Sequence, residues 1–246
     1  MNKSIMSYIF RDYIRSYKYI VPILIFACFL LGIYAIRPND VTYSYVISSA
    51  VIYMLAAWLT LGLLNTEDTV AQQVTILHCK SQTIYYVCKL LFVWIFTMIL
   101  SVLAIIYPII INTFDRQVNL TDIMLAIISH SLLSLLGIAV AAIFNQRFIN
   151  DRRLSILALY MVIILSLIQG KLTEIIPFLK YPLFILPPVF YSLDRMGSTS
   201  NYSMVSSSGI PSVLASFAII LLYSLLLIFI YQSFKEERLL ISVYSL

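Results

Sequence analysis

The sequence predicts an all-α membrane protein with six transmembrane helices, an N-terminal interfacial amphipathic helix, and extracellular re-entrant helices between spans five and six. Three observations predict it. The chain is 61% hydrophobic and 11% charged over 246 residues, against about 45–50% and about 25% in soluble domains. Its mean hydropathy is +0.96. Its apolar residues fall into runs long enough to cross a bilayer, and short polar connections hold most of the charge. A soluble fold of this size has too little polar surface to cover so much apolar area, so lipid is the fitting solvent.

The first element covers residues 3–18. Ile5, Met6, Ile9, Phe10, Tyr13, Ile14 and Tyr17 recur at helical spacing, and Lys3, Arg11, Asp12, Arg15 and Lys18 fall on the remaining face. That pattern predicts a helix lying in the interface with Arg11, Arg15 and Lys18 toward anionic headgroups. It reads either as an anchor before the first span or as an elbow that also touches a cytoplasmic partner.

Six apolar runs follow, at 19–36, 43–64, 85–114, 123–144, 154–168 and 213–231. A helix needs roughly 20 residues to cross the hydrocarbon core. The third run is longer than that, which implies tilt, and Pro108 is placed to kink it. The fifth is short. The chain reads as one transmembrane domain over 1–246. It divides into the interfacial helix (1–18), spans one to five (19–168), an extracellular re-entrant segment and loop (169–212), span six (213–232) and a cytoplasmic tail (233–246).

Residues 65–82, between spans two and three, read NTEDTVAQQVTILHCKSQ. Asn65 or Thr66 can cap a helix whose first turn holds Glu67 and Asp68. Val70, Val74 and Leu77 share one face of it. The prediction is a short helix parallel to the membrane, with a solvated turn as the alternative. Residues 169–212 hold five of the eight prolines, Pro177, Pro182, Pro187, Pro188 and Pro211. Pro177 and Pro182 break any straight helix. A short fifth span followed by this apolar, broken stretch predicts a chain that crosses, turns back into the outer leaflet and re-emerges. Irregular backbone at that depth survives only buried in protein or against a wet cavity. The Ser-rich second half, 192–208, reads as an extracellular loop.

Of the 16 Lys and Arg residues, eleven fall on the side that holds both termini and the 65–82 loop. The positive-inside rule then places both termini in the cytoplasm of a multi-pass plasma-membrane protein. The net charge of +5 is spread over short loops and sets topology; it forms no basic face for nucleic acid.

The chemistry is sparse. There is no phosphate-binding glycine motif, no H-E-x-x-H, no C-x-x-C and no G-x-S-x-G,. His78 and His130 are the only histidines, so no catalytic, metal or cofactor residues are assigned. The three cysteines, Cys28, Cys79 and Cys88, form no disulfide framework,. Polar groups inside spans are the default functional candidates. His130 and Ser134 in span four could line a pathway, or could hydrogen-bond between packed helices.

Three features together resemble the permease subunit of an ABC-2-type ABC transporter. The basic helix over residues 3–18 precedes span one, as the family's connecting helix does. The loop from Glu67 to Lys89 resembles the coupling-helix region: Glu67-Asp68 as its acidic start, the 70–77 helix, Lys80-Ser81 in place of a Pro-x-Ser turn, and Cys88-Lys89 in place of Gly-Lys at the opening of span three. The proline expected before Ser81 is absent. The apolar stretch 175–191, with its ILPPVFY, resembles the extracellular re-entrant helices. The resemblance implies a lipid-embedded subunit without its own nucleotide site, paired with a second permease chain as a homodimer or heterodimer. A separate ABC ATPase subunit would dock at Glu67, Asp68, Val70, Val74, Leu77, Lys80, Ser81 and Lys89 and at the N-terminal helix. It implies outward export of an amphipathic peptide, peptide antibiotic or lipid-like substrate. A competing expectation is a non-transporting membrane immunity or sensor protein that binds its ligand directly.

Overall fold

The computed structural model describes residues 3–79, 81–144, 151–183, 185–198 and 209–244. Among these the chain is mostly helical, with an isolated bridge between Asn39 and Phe114 in place of any strand. In order it forms α1 (Lys3–Ser16), α2 (Ile20–Ile33), α3 (Val41–Leu64), α4 (Thr69–Cys79), α5 (Gln82–Ile110), α6 (Leu120–Ile143) and α7 (Arg152–Ile175). A 3-10 turn (Pro177–Leu179), α8 (Lys180–Leu183), α9 (Val189–Ser198) and α10 (Gly209–Tyr244) complete it. Lys80 and residues 199–208 of the expected outer loop lie outside the described residues.

Among the described residues five helices are long and apolar enough to cross a membrane: Val41–Leu64, Gln82–Ile110, Leu120–Ile143, Arg153–Ile175 and Pro211–Ser233. Ile5–Ser16 and Ile20–Ile33, bent 77° against each other, make a sixth if counted as one span. The bend has a local cause. Tyr17 sits at φ 56, a left-handed conformation that ends a helix of L-residues.

Polar caps start the long helices. Asp40 accepts the Tyr43 amide at 2.7 Å, Ser81 accepts that of Ile84 at 3.4 Å, and Asp151 accepts that of Arg153 at 2.8 Å. Before α6 the Asn119 amide donates to Asp122 at 3.0 Å, and Arg116 grips the same carboxylate at 2.7 and 3.1 Å. Each cap satisfies amides that the first helical turn leaves free.

Several boundaries differ from the apolar runs. The helix of the first run is only 14 residues, about 21 Å at about 1.5 Å per residue. The fifth helix is not short: α7 has 24 residues. Gln169, Gly170, Lys171 and Glu174 interrupt its apolar run without stopping the helix. It ends at Ile176, whose φ of −128 and ψ of 87 suit a residue held extended before a proline. The expected tail after the last span is also helical, since α10 runs 36 residues to Tyr244. Residues 232–240, QSFKEERLL, are mostly helix formers, with no glycine or proline to stop the helix.

α3 and α6 form the centre and pack along their whole length. Gly137 makes this possible: a Cβ there would lie 2.4 Å from the Tyr53 carbonyl oxygen. Small residues at such contacts let helix backbones approach closely. α5 and α10 pack on α6, α1 packs on α5, and α9 packs on α3, α7 and α10. The core runs from Ile9 and Tyr13 of α1 through Leu59, Leu63 and Tyr85 to Ala142. A second cluster joins Tyr53, Leu136, Leu159, Val189 and Ile220. Away from these, Ile99, Val102, Leu157, Met161, Leu222 and Phe229 are exposed, the outward apolar surface that a bilayer would cover.

Candidate functional site: a buried ion pair beside α4

The connection from α3 to α5 carries the densest polar chemistry. Asn65 ends α3 by returning its amide to Leu61 at 3.2 Å, and the Thr66 hydroxyl donates to the Gly62 carbonyl at 2.8 Å. Glu67 and Asp68 therefore precede α4 and are not in its first turn. This corrects the expected capping pattern: residues 65 and 66 still belong to the end of α3. The chain turns, and the Gln72 amide closes onto the Asp68 carbonyl at 3.0 Å.

Glu67 points inward to α5. Tyr85 and Lys89 are four residues apart, so both face it from one side of the helix. Lys89 Nζ lies 3.0 Å from Glu67 Oε2, and the two side chains are 1% and 2% exposed. The Tyr85 hydroxyl donates to the same oxygen. Lys89 Nζ also stands 4.8 Å over the Tyr85 ring, close enough for a cation–π contact. A buried ion pair repays its desolvation only with close geometry and further hydrogen bonds; here a tyrosine supplies one.

Three more elements meet this pair. Gln72 of α4 is buried, and its Nε2 donates to the Tyr86 hydroxyl at 3.0 Å. The Tyr86 ring meets that of Tyr231 on α10 edge-on at 5.7 Å. From α1, burial raises the Asp12 carboxyl from its ordinary value, with Glu67 adding to the rise and Lys89, Lys18 and Arg15 opposing it. Burial likewise raises the neighbouring Tyr8 phenol. At the α1–α2 elbow Lys18 Nζ donates to the Asn65 carbonyl at 2.6 Å, and the Tyr13 hydroxyl donates to that of Leu59 at 3.3 Å. Glu67, Lys89, Tyr85 and Gln72 thus tie α4 to α5, while α1 braces them from the side.

α4 packs Ile76 and Cys79 against the core and exposes Gln73 and His78, yet it also carries an apolar stripe on its outer side. Val70, Val74 and Leu77 are 64%, 49% and 76% exposed, whereas Gln72 is 2% exposed. A surface helix normally turns its apolar stripe to the core and its polar residues outward. An exposed apolar stripe marks a surface that something else covers.

The other sequence-derived residues fall elsewhere. Ser81 caps α5. Arg11 and Arg15 are exposed along α1, and Lys18 is exposed just after it. Pro177 opens the 3-10 turn, Pro182 lies in α8, and Pro187 and Pro188 lead into α9. This irregular stretch is held by side chains of the long helices: Gln169 donates to the Leu183 carbonyl at 2.7 Å, and Tyr223 to that of Ile185 at 2.7 Å.

His130 and Ser134 are wholly buried. His130 Nδ1 lies 2.6 Å from the Ala126 carbonyl, an acceptor, so Nδ1 carries the proton. Nε2, 3.0 Å from Ser48 Oγ, is left to accept that hydroxyl. Ser134 donates to the Ser131 carbonyl at 2.8 Å. His130 thereby bonds across to α3, while the Ser134 bond stays within α6.

Sequence reasoning missed Asp12, Gln72, Tyr85, Tyr86 and Tyr231 as members of the site. The four-residue spacing of Tyr85 and Lys89 was the one readable signal. Gln72 had none, since its burial depends on which way α4 rolls. No protein-family model, curated protein or solved structure matches the chain.

Proposed function

We propose that the chain is the permease subunit of an ATP-driven exporter of the ABC-2 type. On this reading it is a six-span plasma-membrane protein with both termini in the cytoplasm and re-entrant helices at α8–α9. A second permease chain completes the pathway. A separate ABC ATPase subunit binds and hydrolyses ATP, so the permease needs no cofactor of its own. The exported substrate is an amphipathic peptide, a peptide antibiotic or a lipid-like molecule, moved outward.

The observation that carries the reading is the exposed apolar ridge of α4 beside its buried ion pair. Val70, Val74 and Leu77 offer the ATPase an apolar ridge. Behind the ridge Gln72 holds Tyr86 and Glu67 holds Lys89. A push on α4 then moves α5 as one body with it. α1, packed on α5 and joined to the end of α3 through Lys18, carries the motion to the other side of the connection. The spans respond to work done outside the chain, consistent with a sequence that lacks a phosphate-binding motif.

The test is to purify the full chain from its native membrane in mild detergent and reconstitute it into vesicles, with and without the polypeptides that accompany it. ATP hydrolysis and ATP-dependent peptide efflux are expected only from the complex. Hydrolysis, conductance or ligand protection by the isolated chain would overturn the proposal, and ligand protection alone would establish the immunity reading.

A further inference from the structure

α5 and α10 both pack on α6, yet they approach each other only sparsely. Two apolar grooves lie between them, end to end. The one farther from α4, of about 590 Å³, is lined by Met98, Ile128, Leu132, Phe217 and Leu222. The one nearer α4, of about 260 Å³, is lined by Val87, Leu91, Trp94, Leu135 and Ile228. Together they form one seam with α6 as its floor.

Three features identify what this seam takes. No charged residue lines either groove. Ser131 is the one hydroxyl residue in the lining, and the Trp94 Nε1 donor is satisfied from within, at 3.3 Å from the Ser131 carbonyl. With one serine and no charge, the lining offers little to hold a peptide or a lipid headgroup. The length is that of one leaflet. From Val87 to Met98 is eleven residues of α5, about 17 Å at about 1.5 Å per residue, close to half of the roughly 30 Å hydrocarbon core. Val87 lies next to Lys89 and the polar node, so the seam begins near the α4 end of α5 and runs to mid-helix.

We propose that the α5–α6–α10 seam is a binding site for a single acyl chain of a bilayer lipid from the leaflet on the α4 side. The chain fills the gap that α5 and α10 leave over α6 and lies against Trp94. The site is independent of the transport reading; it rests on these helices crossing a bilayer. An open apolar gap at a helix seam loses dispersion contacts along its whole wall, and a flexible hydrocarbon chain restores them.

Trp94 makes the site measurable. The full chain carrying Trp58→Phe, with Trp94 its only tryptophan, is reconstituted into phosphatidylcholine vesicles whose acyl chains carry bromine, a contact quencher. A second protein, Trp58→Phe with Trp94→Phe and Val102→Trp, places its reporter on the exposed outer side of α5 and reads ordinary lipid contact. The expected result is loss of most Trp94 emission, and its recovery when Leu91→Phe and Ile228→Phe fill the groove. The Val102→Trp reporter stays quenched with or without the filling pair, which also shows that the filled protein is inserted. Quenching of Trp94 that the filling pair leaves unchanged would mean surface contact only and overturn the site. So would a Trp94 that lipid does not quench; disulfide formation between Met98→Cys and Leu222→Cys of two chains would then name a second copy as the occupant. Loss of quenching at Val102→Trp as well would defeat the membrane reading itself and not the groove alone.

Discussion

Lys89 of α5 holds Glu67, at the end of the α3 connection, by a 3.0 Å contact that solvent barely reaches. The pair bridges 22 residues of sequence and fixes where α4 sits. With Tyr85 on the same carboxylate oxygen, it makes α4 part of the helical body although an apolar face of α4 looks outward.

Removing one partner of this pair leaves a buried charge alone. Glu67→Gln and Lys89→Met are each expected to destabilise the protein by about 3–5 kcal/mol. The double replacement is expected to cost much less than the sum of the two. Thermal unfolding in detergent of the four proteins measures the coupling; additive losses would show that the two groups act independently.

Asp12 gives a pH signature. Its folded-state carboxyl is raised, by burial first and by Glu67 second, against Lys89, Lys18 and Arg15. A raised acid holds its proton more tightly in the folded state, so its contribution favours folding at acid pH and is lost as pH rises through the raised value. Asp12→Asn is therefore expected to be more stable than the parent at neutral pH, with the difference closing below the unfolded aspartate value of about 3.9. A difference that does not change with pH would contradict the assignment.

The glycines of the spans are expected to behave oppositely. A side chain at Gly137 strikes the Tyr53 carbonyl, whereas one at Gly32 meets nothing within 4 Å. Gly137→Leu is expected to force α3 and α6 apart at a cost of several kcal/mol, beyond the roughly 1–3 typical of overpacking because backbone blocks the way. Gly32→Ala is expected to be neutral or slightly stabilising. The melting temperatures of the two variants decide it.

His130 is expected to matter as a packing group. Hydrogen bonds between membrane helices average about 0.6 kcal/mol, so Ser48→Ala is expected to cost well under the loss from Glu67→Gln. On the proposed export function, ATP-dependent efflux by Ser48→Ala, per folded protein, is expected to match the parent. Abolished efflux from a stable Ser48→Ala protein would return His130 to the pathway.

The long apolar helices were legible because lipid imposes one demand on all of them, an uninterrupted apolar run with its own backbone bonds. Their ends were less legible. Lys171 and Glu174 broke the apolar run of α7 but not its helix, and the bend at Tyr17 needs a left-handed residue that no side-chain pattern announces. At the site, Glu67 and Lys89 could be nominated separately, yet their pairing is a tertiary fact. The exposure of Val70, Val74 and Leu77 reverses the usual rule, so periodicity found the stripe but not the direction it faces.

The most direct test of the central claim is binding of the proposed ABC ATPase to the full chain when the α4 ridge is changed. Val74→Asp with Leu77→Asp is expected to abolish ATPase co-purification and ATP-dependent efflux, while Ala71→Asp, an exposed α4 position a quarter-turn round the helix from the centre of the ridge,, leaves both at the parental level. Retained ATPase binding by a folded Val74→Asp/Leu77→Asp protein would contradict the account.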